Sequence, residues 1–273
     1  MQETWAIHGV YPHFAWTPSG THVVIWANGV LNRVDMTTGL HEVIPFHVRD
    51  TREIRDAHRT EVSVAPEKST SRMIRGARVS PDGRSVVFQA LGVLWIQELG
   101  AAKSRRLTKQ ESHFEFDPEW SRDGRHIVYG TWDDEQLGAI RTVSSRGGTG
   151  RILTLDKGHY REPVFTPDGR SVVFRRLGGG WLRSPLWSQD TGLYQVDVKT
   201  RATTWISKTG RLPHFGENPR YLFYAGYGGG KSQLKELDLV TREHRVVAES
   251  AMGSGFRVST NGKWLATIEE HNV

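Results

Sequence analysis

The sequence predicts an all-β fold of the β-propeller class, with about five complete blades and a partial sixth in an open arc or a thinly closed ring. Three observations carry this. One turn cluster recurs along the chain, each time leading into a short apolar strand. Ser80-Pro81-Asp82-Gly83 leads into SVVFQ, and Thr17-Pro18-Ser19-Gly20 into HVVIW. Ser121-Arg122-Asp123-Gly124 leads into HIVYG, Thr166-Pro167-Asp168-Gly169 into SVVFR, and Ser259-Thr260-Asn261-Gly262 into WLATI. Proline pre-sets φ in such a turn and glycine accepts positive φ. A degenerate copy, Gly216-Glu217-Asn218-Pro219, precedes YLFYA.

The second observation is the spacing. Gly83 to Gly124 is 41 residues, Gly124 to Gly169 is 45, and Gly169 to Gly262 is 93, two units once the degenerate copy is counted. A period of about 40–50 with several short strands belongs to propeller blades. The third is that the apolar runs are brief, β-branched and bounded by turns, without the 3.6-residue periodicity a helical solenoid needs. Each unit is too small to bury both faces of its own sheet, so it must pack on its neighbours.

Taken in order, residues 1–10 precede the first unit, and Thr4–His8 is read as one lone strand. Unit one covers 11–46, with hairpin turns at Asn28-Gly29 and Thr38-Gly39. The interval from Gly20 to Gly83 is 63 residues, so 47–73 is read as an insertion, extended and ending in a loop. Units two to five cover 74–108, 113–154, 160–207 and 212–248. Unit four carries an interior loop around Gly178–Gly180 and unit five a central turn at Gly228–Gly230. Unit six, 255–273, supplies two strands, Phe256–Ser259 and Lys263–Ile268, so the chain is expected to be an internal portion ending in mid-blade. An unpaired edge at Trp264–Ile268 would then favour self-association.

Composition fits one large all-β domain of 273 residues. Ten Trp, ten Phe and seven Tyr supply large flat side chains for the wedges between radial sheets. No cysteine is present, which excludes a disulfide framework and a thiolate metal site. No apolar run approaches 18 residues, so no membrane span is expected. The first dozen residues have neither the basic nor the apolar region of a signal peptide. Net charge is +6 and pI about 9.6. The arginines are nevertheless interleaved with acids, as in Arg49-Asp50-Thr51-Arg52-Glu53, so a mixed solvated surface is expected and no nucleic-acid partner.

Aligning the units on the turn places His13, Asp117 and Glu162 at one equivalent position of the first strand, which in a propeller lines the central channel. His113, Glu115, His159 and His214 lie close to that position. Two readings follow for these carboxylates and imidazoles. They could bind a cation or form an acid/base pair at the channel mouth, with His13, Asp117, Glu162 and His214 as the candidate binding residues. Alternatively, each carboxylate accepts backbone N–H groups of the adjacent blade and fixes its tilt. The repeat-equivalent placement favours the second. Trp132-Asp133-Asp134 reads as an Asx-type turn in preference to a ligand site. Trp120, Phe165 and Val79 occupy one repeat position expected to be buried between blades.

Catalytic signatures are absent. The twelve histidines include no His-x-His pair, and the chain has no His-Glu-x-x-His, no Gly-x-Ser-x-Gly elbow and no phosphate loop. No catalytic residue, metal ligand or cofactor is therefore expected.

Pro-Asp-Gly-Arg before an apolar strand, with Leu107-Thr108 and Leu153-Thr154 closing units, resembles the TolB-like propeller repeat. Together, YPHFAWTPSG, IPFHV, VSPDGRSVVFQALG, RRLT, HFEFDPEWSRDGRHIVYGTWDD, GHYREPVFTPDG and VSTNGKWLA are similar to the TolB-like region preceding the hydrolase domain in a family of bacterial amidohydrolases. The resemblance implies a non-catalytic binding or scaffold region whose partner is its own hydrolase domain or another protein, and an exported or periplasmic setting. That hydrolase domain would need a His-x-His pair, a metal-bridging Lys and a late Asp, and no residue here matches them. Two departures, Thr260-Asn261 for Pro-Asp and the missing Asp-Gly turn of unit five, lead us to expect poorly formed blades there. Two alternatives are an enzyme with its site in the channel mouth and the gating propeller of a prolyl-oligopeptidase-like serine peptidase.

Overall fold

A computed structural model describes residues 14–27, 29–54, 67, 71, 73–178 and 190–269. The expected strand at Thr4–His8 lies outside these residues, as do much of the 47–73 insertion and most of the unit-four loop. The described residues contain no helix and form 22 strands. Every sheet is an antiparallel meander of sequential strands.

The chain falls into two compact units, 1–66 and 67–273. The first holds sheet 1, built from β1 Phe14–Trp16, β2 His22–Ala27, β3 Val30–Asp35 and β4 His41–Ile44. The second holds sheets 2 to 6. Sheet 2 is β5 Arg75–Val79, β6 Ser85–Ala90, β7 Val93–Glu98 and β8 Arg105–Arg106. Sheet 3 is β9 Phe114–Trp120, β10 His126–Trp132, β11 Ala139–Ser144 and β12 Arg151–Ile152. Sheet 4 is β13 Tyr160–Phe165, β14 Ser171–Arg176, β15 Gly192–Asp197 and β16 Thr203–Ser207. Sheet 5 is β17 Arg211–Phe215, β18 Tyr221–Gly228, β19 Lys231–Asp238 and β20 His244–Ser250. Sheet 6 has two described strands, β21 Gly253–Val258 and β22 Leu265–Glu269.

The recurrent turn folds the same way each time because its side chains close the same hydrogen bonds. The Ser80 hydroxyl donates to Asp82 Oδ1 and accepts from the Ser85 N–H, while Asp82 Oδ1 also accepts the Arg84 N–H. Ser121 and Asp123 repeat this set, as do Thr166 and Asp168. In the last turn Asn261 replaces the aspartate without loss, since its Oδ1 accepts from both Ser259 and the Lys263 N–H. In sheet 5 Asn218 Oδ1 receives the Arg220 N–H. The expected weakness of unit five is thereby corrected. An amide oxygen serves this turn as well as a carboxylate, and sheet 5 has four strands, two of them eight residues long.

Within the second unit the core lies between consecutive sheets. Trp120 packs with Val87, Leu94 and Ile96 of sheet 2 and Ile127 and Tyr129 of its own sheet. Phe165 joins Val128 and Ile140 of sheet 3 to Val172 and Phe174 of sheet 4. Phe215 fills the next wedge with Val173 and Leu193. Val79, expected to be buried at this position, is instead 57% exposed. It sits on the first sheet of its unit, at the wall of an open funnel.

Candidate functional site

The first strands β5, β9, β13 and β17 share a defect at the same place. Each has a register shift, at Gly76–Ala77, Asp117–Pro118, Glu162–Pro163 and Leu212–Pro213 respectively, while β21 has its shift one residue further from the turn, at Ser254. An extra residue at such a bulge bends the strand and re-aims its side chain. Gly76, Asp117, Glu162 and Leu212 all have φ between +50 and +58°. For a non-glycine residue this left-handed conformation needs compensation from its surroundings.

The compensation is a relay. Asp117 Oδ2 accepts the N–H of Glu162, 3.0 Å away, and Glu162 Oε2 accepts the N–H of Leu212 at 2.6 Å. Each bulge carboxylate thus satisfies the backbone of the equivalent bulge in the next sheet. Each also pairs with an arginine. Arg161 spans both oxygens of Asp117, at 2.6 and 3.1 Å, and Arg175 lies 3.0 Å from Glu162 Oε1. At Gly76, with no side chain, the Pro118 ring occupies the space a Cβ would face.

His214 ties the next pair of sheets. It is 4% exposed, its Nδ1–H donates to the Leu212 carbonyl at 2.9 Å, and its Nε2 accepts the Val258 N–H of β21 at 3.0 Å. Burial pushes its pKa down to about 4, with the Arg257 charge adding to the shift and the Leu212 bond opposing it. The neutral ring is the form that can accept from Val258.

Of the four residues expected at the channel mouth, His13 lies outside the described residues. Asp117 and Glu162 are joined through the backbone, and His214 is reached from Glu162 through Leu212. A second buried group lies behind them. Glu115 is fully buried and accepts from the Leu94 N–H and the Thr108 hydroxyl, binding sheet 3 to sheet 2. Its other oxygen is 3.9 Å from His113 Nε2, and neither atom has a hydrogen-bond partner among the described residues. Desolvation lowers the His113 pKa to about 4. Asp133 Oδ1 accepts the Glu135 and Gln136 N–H groups, the Asx-type turn read from the sequence.

The open space lies two residues further along the first strands. A funnel of about 490 Å³ is walled by Val79, Trp120, Val164, Phe165, Phe215 and Val258, and charged groups enter it from Glu119, Arg122, Glu217 and Arg257. Glu119 is held by Arg78 at 2.8 Å. Arg122 donates to the Gly216 carbonyl. Sequence alignment on the bulge position missed this set. The column two residues nearer the turn, Arg78, Glu119, Val164, His214 and Arg257, carries it and was readable in the same alignment.

These features define a TolB-like β-propeller fold, compatible with a non-catalytic binding or scaffold role. No family model matches the chain. Over 90 residues it is 30% identical to the Tol-Pal system protein TolB of Francisella tularensis subsp. mediasiatica, a match taking in 33% of this chain and 19% of that protein. The chain therefore spans only a small part of the curated relatives it matches. TolB from Acinetobacter baumannii superposes with a TM-score of 0.54 at 17% identity, covering 87% of this chain and 53% of that one. A structure of oligogalacturonate lyase in complex with manganese gives 0.60 at 12% identity, covering 93% and 69%. The tricorn protease gives 0.54 at 14% identity, covering 93% of this chain and 28% of that one. Among the described residues no helix is long and apolar enough to cross a membrane.

Proposed function

We propose that this chain is a non-catalytic propeller region that binds or positions a partner beside a metal-dependent amidohydrolase domain. The observation that carries the reading is the use of the bulge carboxylates. Asp117 and Glu162 each hold an arginine and a neighbouring backbone N–H. A general base or metal ligand works best with its oxygens turned to the substrate, and here every carboxylate oxygen already holds at least one protein donor. The apolar-walled funnel with charged groups at its mouth is a recognition surface of the kind binding sites use. The resemblance of the repeats to the region preceding an amidohydrolase domain supplies the partner, and likeness to a Tol-Pal system protein supports a binding role.

The coding sequence flanking this chain tests the reading. A His-x-His pair opening a barrel supports it. A Gly-x-Ser-x-Gly elbow would replace it with the gating propeller of a serine peptidase. With the hydrolase domain present as a separate polypeptide, co-migration with this chain in size-exclusion chromatography is expected, and failure to associate would contradict the positioning role.

A further inference from the structure

The arginines of the first and second strands are unequally used. Arg78 is paired with Glu119, Arg161 with Asp117, and Arg175 with Glu162. Arg257, which lines the funnel and stands on β21 where Arg78 stands on β5, makes no hydrogen bond and no ion pair among the described residues. It is half-buried, and the charges it feels are Glu119, Glu162 and Arg78, on the first strands of sheets 3, 4 and 2. It lines the funnel together with Glu119 of β9 and Val164 of β13. Glu119 and Glu162 are already engaged by other arginines, so neither can swing to Arg257 without abandoning a partner, and Glu217, at the same mouth, is the acid whose charge Arg122 feels. Its guanidinium lines the funnel with its donors unclaimed among the described residues and open to a ligand, and a guanidinium presents five N–H donors in a fixed fork. His214 cannot be that acceptor, because its Nε2 is taken by Val258.

We propose that Arg257 is the anchor of a carboxylate-binding site in this funnel. A planar carboxylate accepts two parallel bonds from a guanidinium fork, a geometry an ammonium cannot supply. Arg122 stands at the same mouth, with one N–H on the Gly216 carbonyl, and adds a second positive charge. The aromatic and aliphatic wall formed by Trp120, Phe165, Phe215 and Val258 selects a carboxylate carried on an apolar stem. The ligand class is thus an organic acid group, borne by a small acid or by an acidic residue of a peptide. This rests on the binding role proposed above and names what is bound.

The test uses the full chain labelled with ¹⁵N and follows arginine Nε–Hε and tryptophan indole signals. Three probes are added: glutarate, the capped tripeptide Phe-Glu-Leu, and glutaramide as the uncharged counterpart of glutarate. The Arg257 signal, identified by its loss in Arg257→Gln, should shift saturably with glutarate and with the tripeptide, and not with glutaramide. Binding read at the Trp120 indole should weaken at least tenfold in Arg257→Gln, with Arg257→Lys between the two. Tighter binding of the tripeptide assigns the carboxylate to a peptide, and tighter glutarate binding assigns it to a small acid. Equal response to glutarate and glutaramide in the wild-type chain would overturn the proposal, whether or not the variants fold. So would unchanged glutarate affinity in Arg257→Gln. Such a failure would remove the ligand class and leave the hydrolase-flanking role to the flanking sequence and the association experiment.

Discussion

Asp117 does two jobs that substitution can separate. Its conformation at φ +50° suits Asp and Asn better than other L-residues, and its carboxylate bridges Arg161 and the Glu162 N–H. Asp117→Asn keeps the backbone preference and an acceptor for Glu162 while losing the ion pair, which is partly solvent-exposed. A cost of about 1 kcal/mol or less is expected for it. Asp117→Ala loses all three features and should cost on the order of 2–3 kcal/mol in urea unfolding. Equal losses in the two variants would show that the charge alone matters. His214 gives a pH signature. Its folded pKa lies below the unfolded value, so the unfolded chain binds the extra proton, and acid favours unfolding. The contribution is fully present above about pH 6.5 and is lost progressively as pH falls to about 4. His113 acts in the same direction over the same window. Urea midpoints measured from pH 7 to 4.5 should fall, and His214→Gln should flatten part of that fall. An unchanged profile in the variant would remove the His214–Val258 tie as its cause.

Among elements, the strands β2, β6, β7, β10, β14 and β18 were legible in the sequence because an alternating apolar run after a fixed turn has one plausible geometry. The inner wedges followed from the same register. Trp120, with its indole N–H donating to the Arg78 carbonyl at 3.0 Å, fills the wedge between sheets 2 and 3. Trp120→Ala should cost about 3–5 kcal/mol, since sheets on both sides fix the cavity it leaves. A loss below about 1 kcal/mol would place the residue on the wrong face of its strand. Val79 shows where register stops being informative, because on the first sheet of its unit the same repeat position lies at the wall of an open funnel, and that is a property of position in the series. That the bulge carboxylates accept backbone N–H groups of the next sheet was legible from their repeat-equivalent placement. The bulges themselves were not, since nothing local in a carboxylate followed by proline indicates a register shift.

At the scale of the molecule, sheets 2 to 5 are joined twice, by apolar wedges and by polar ties from Glu115, Asp117 and Glu162, and His214 ties sheet 5 to sheet 6. The wedges were predictable from composition and period. The ties of Glu115 and His214 required knowing which atoms face which sheet, and the funnel with Arg257 required knowing that the acids beside it are occupied. With Asp117 and Glu162 holding arginines and neighbouring backbone N–H groups, the proposed role predicts that the chain binds without reacting. Turnover by the purified full chain on a panel of N-acetyl amino acid amides, with and without chelator, tests this most directly. No turnover above the buffer rate is expected in either condition. Chelator-sensitive hydrolysis that is abolished in Asp117→Asn or Glu162→Gln would contradict it and make the bulge carboxylates a catalytic site.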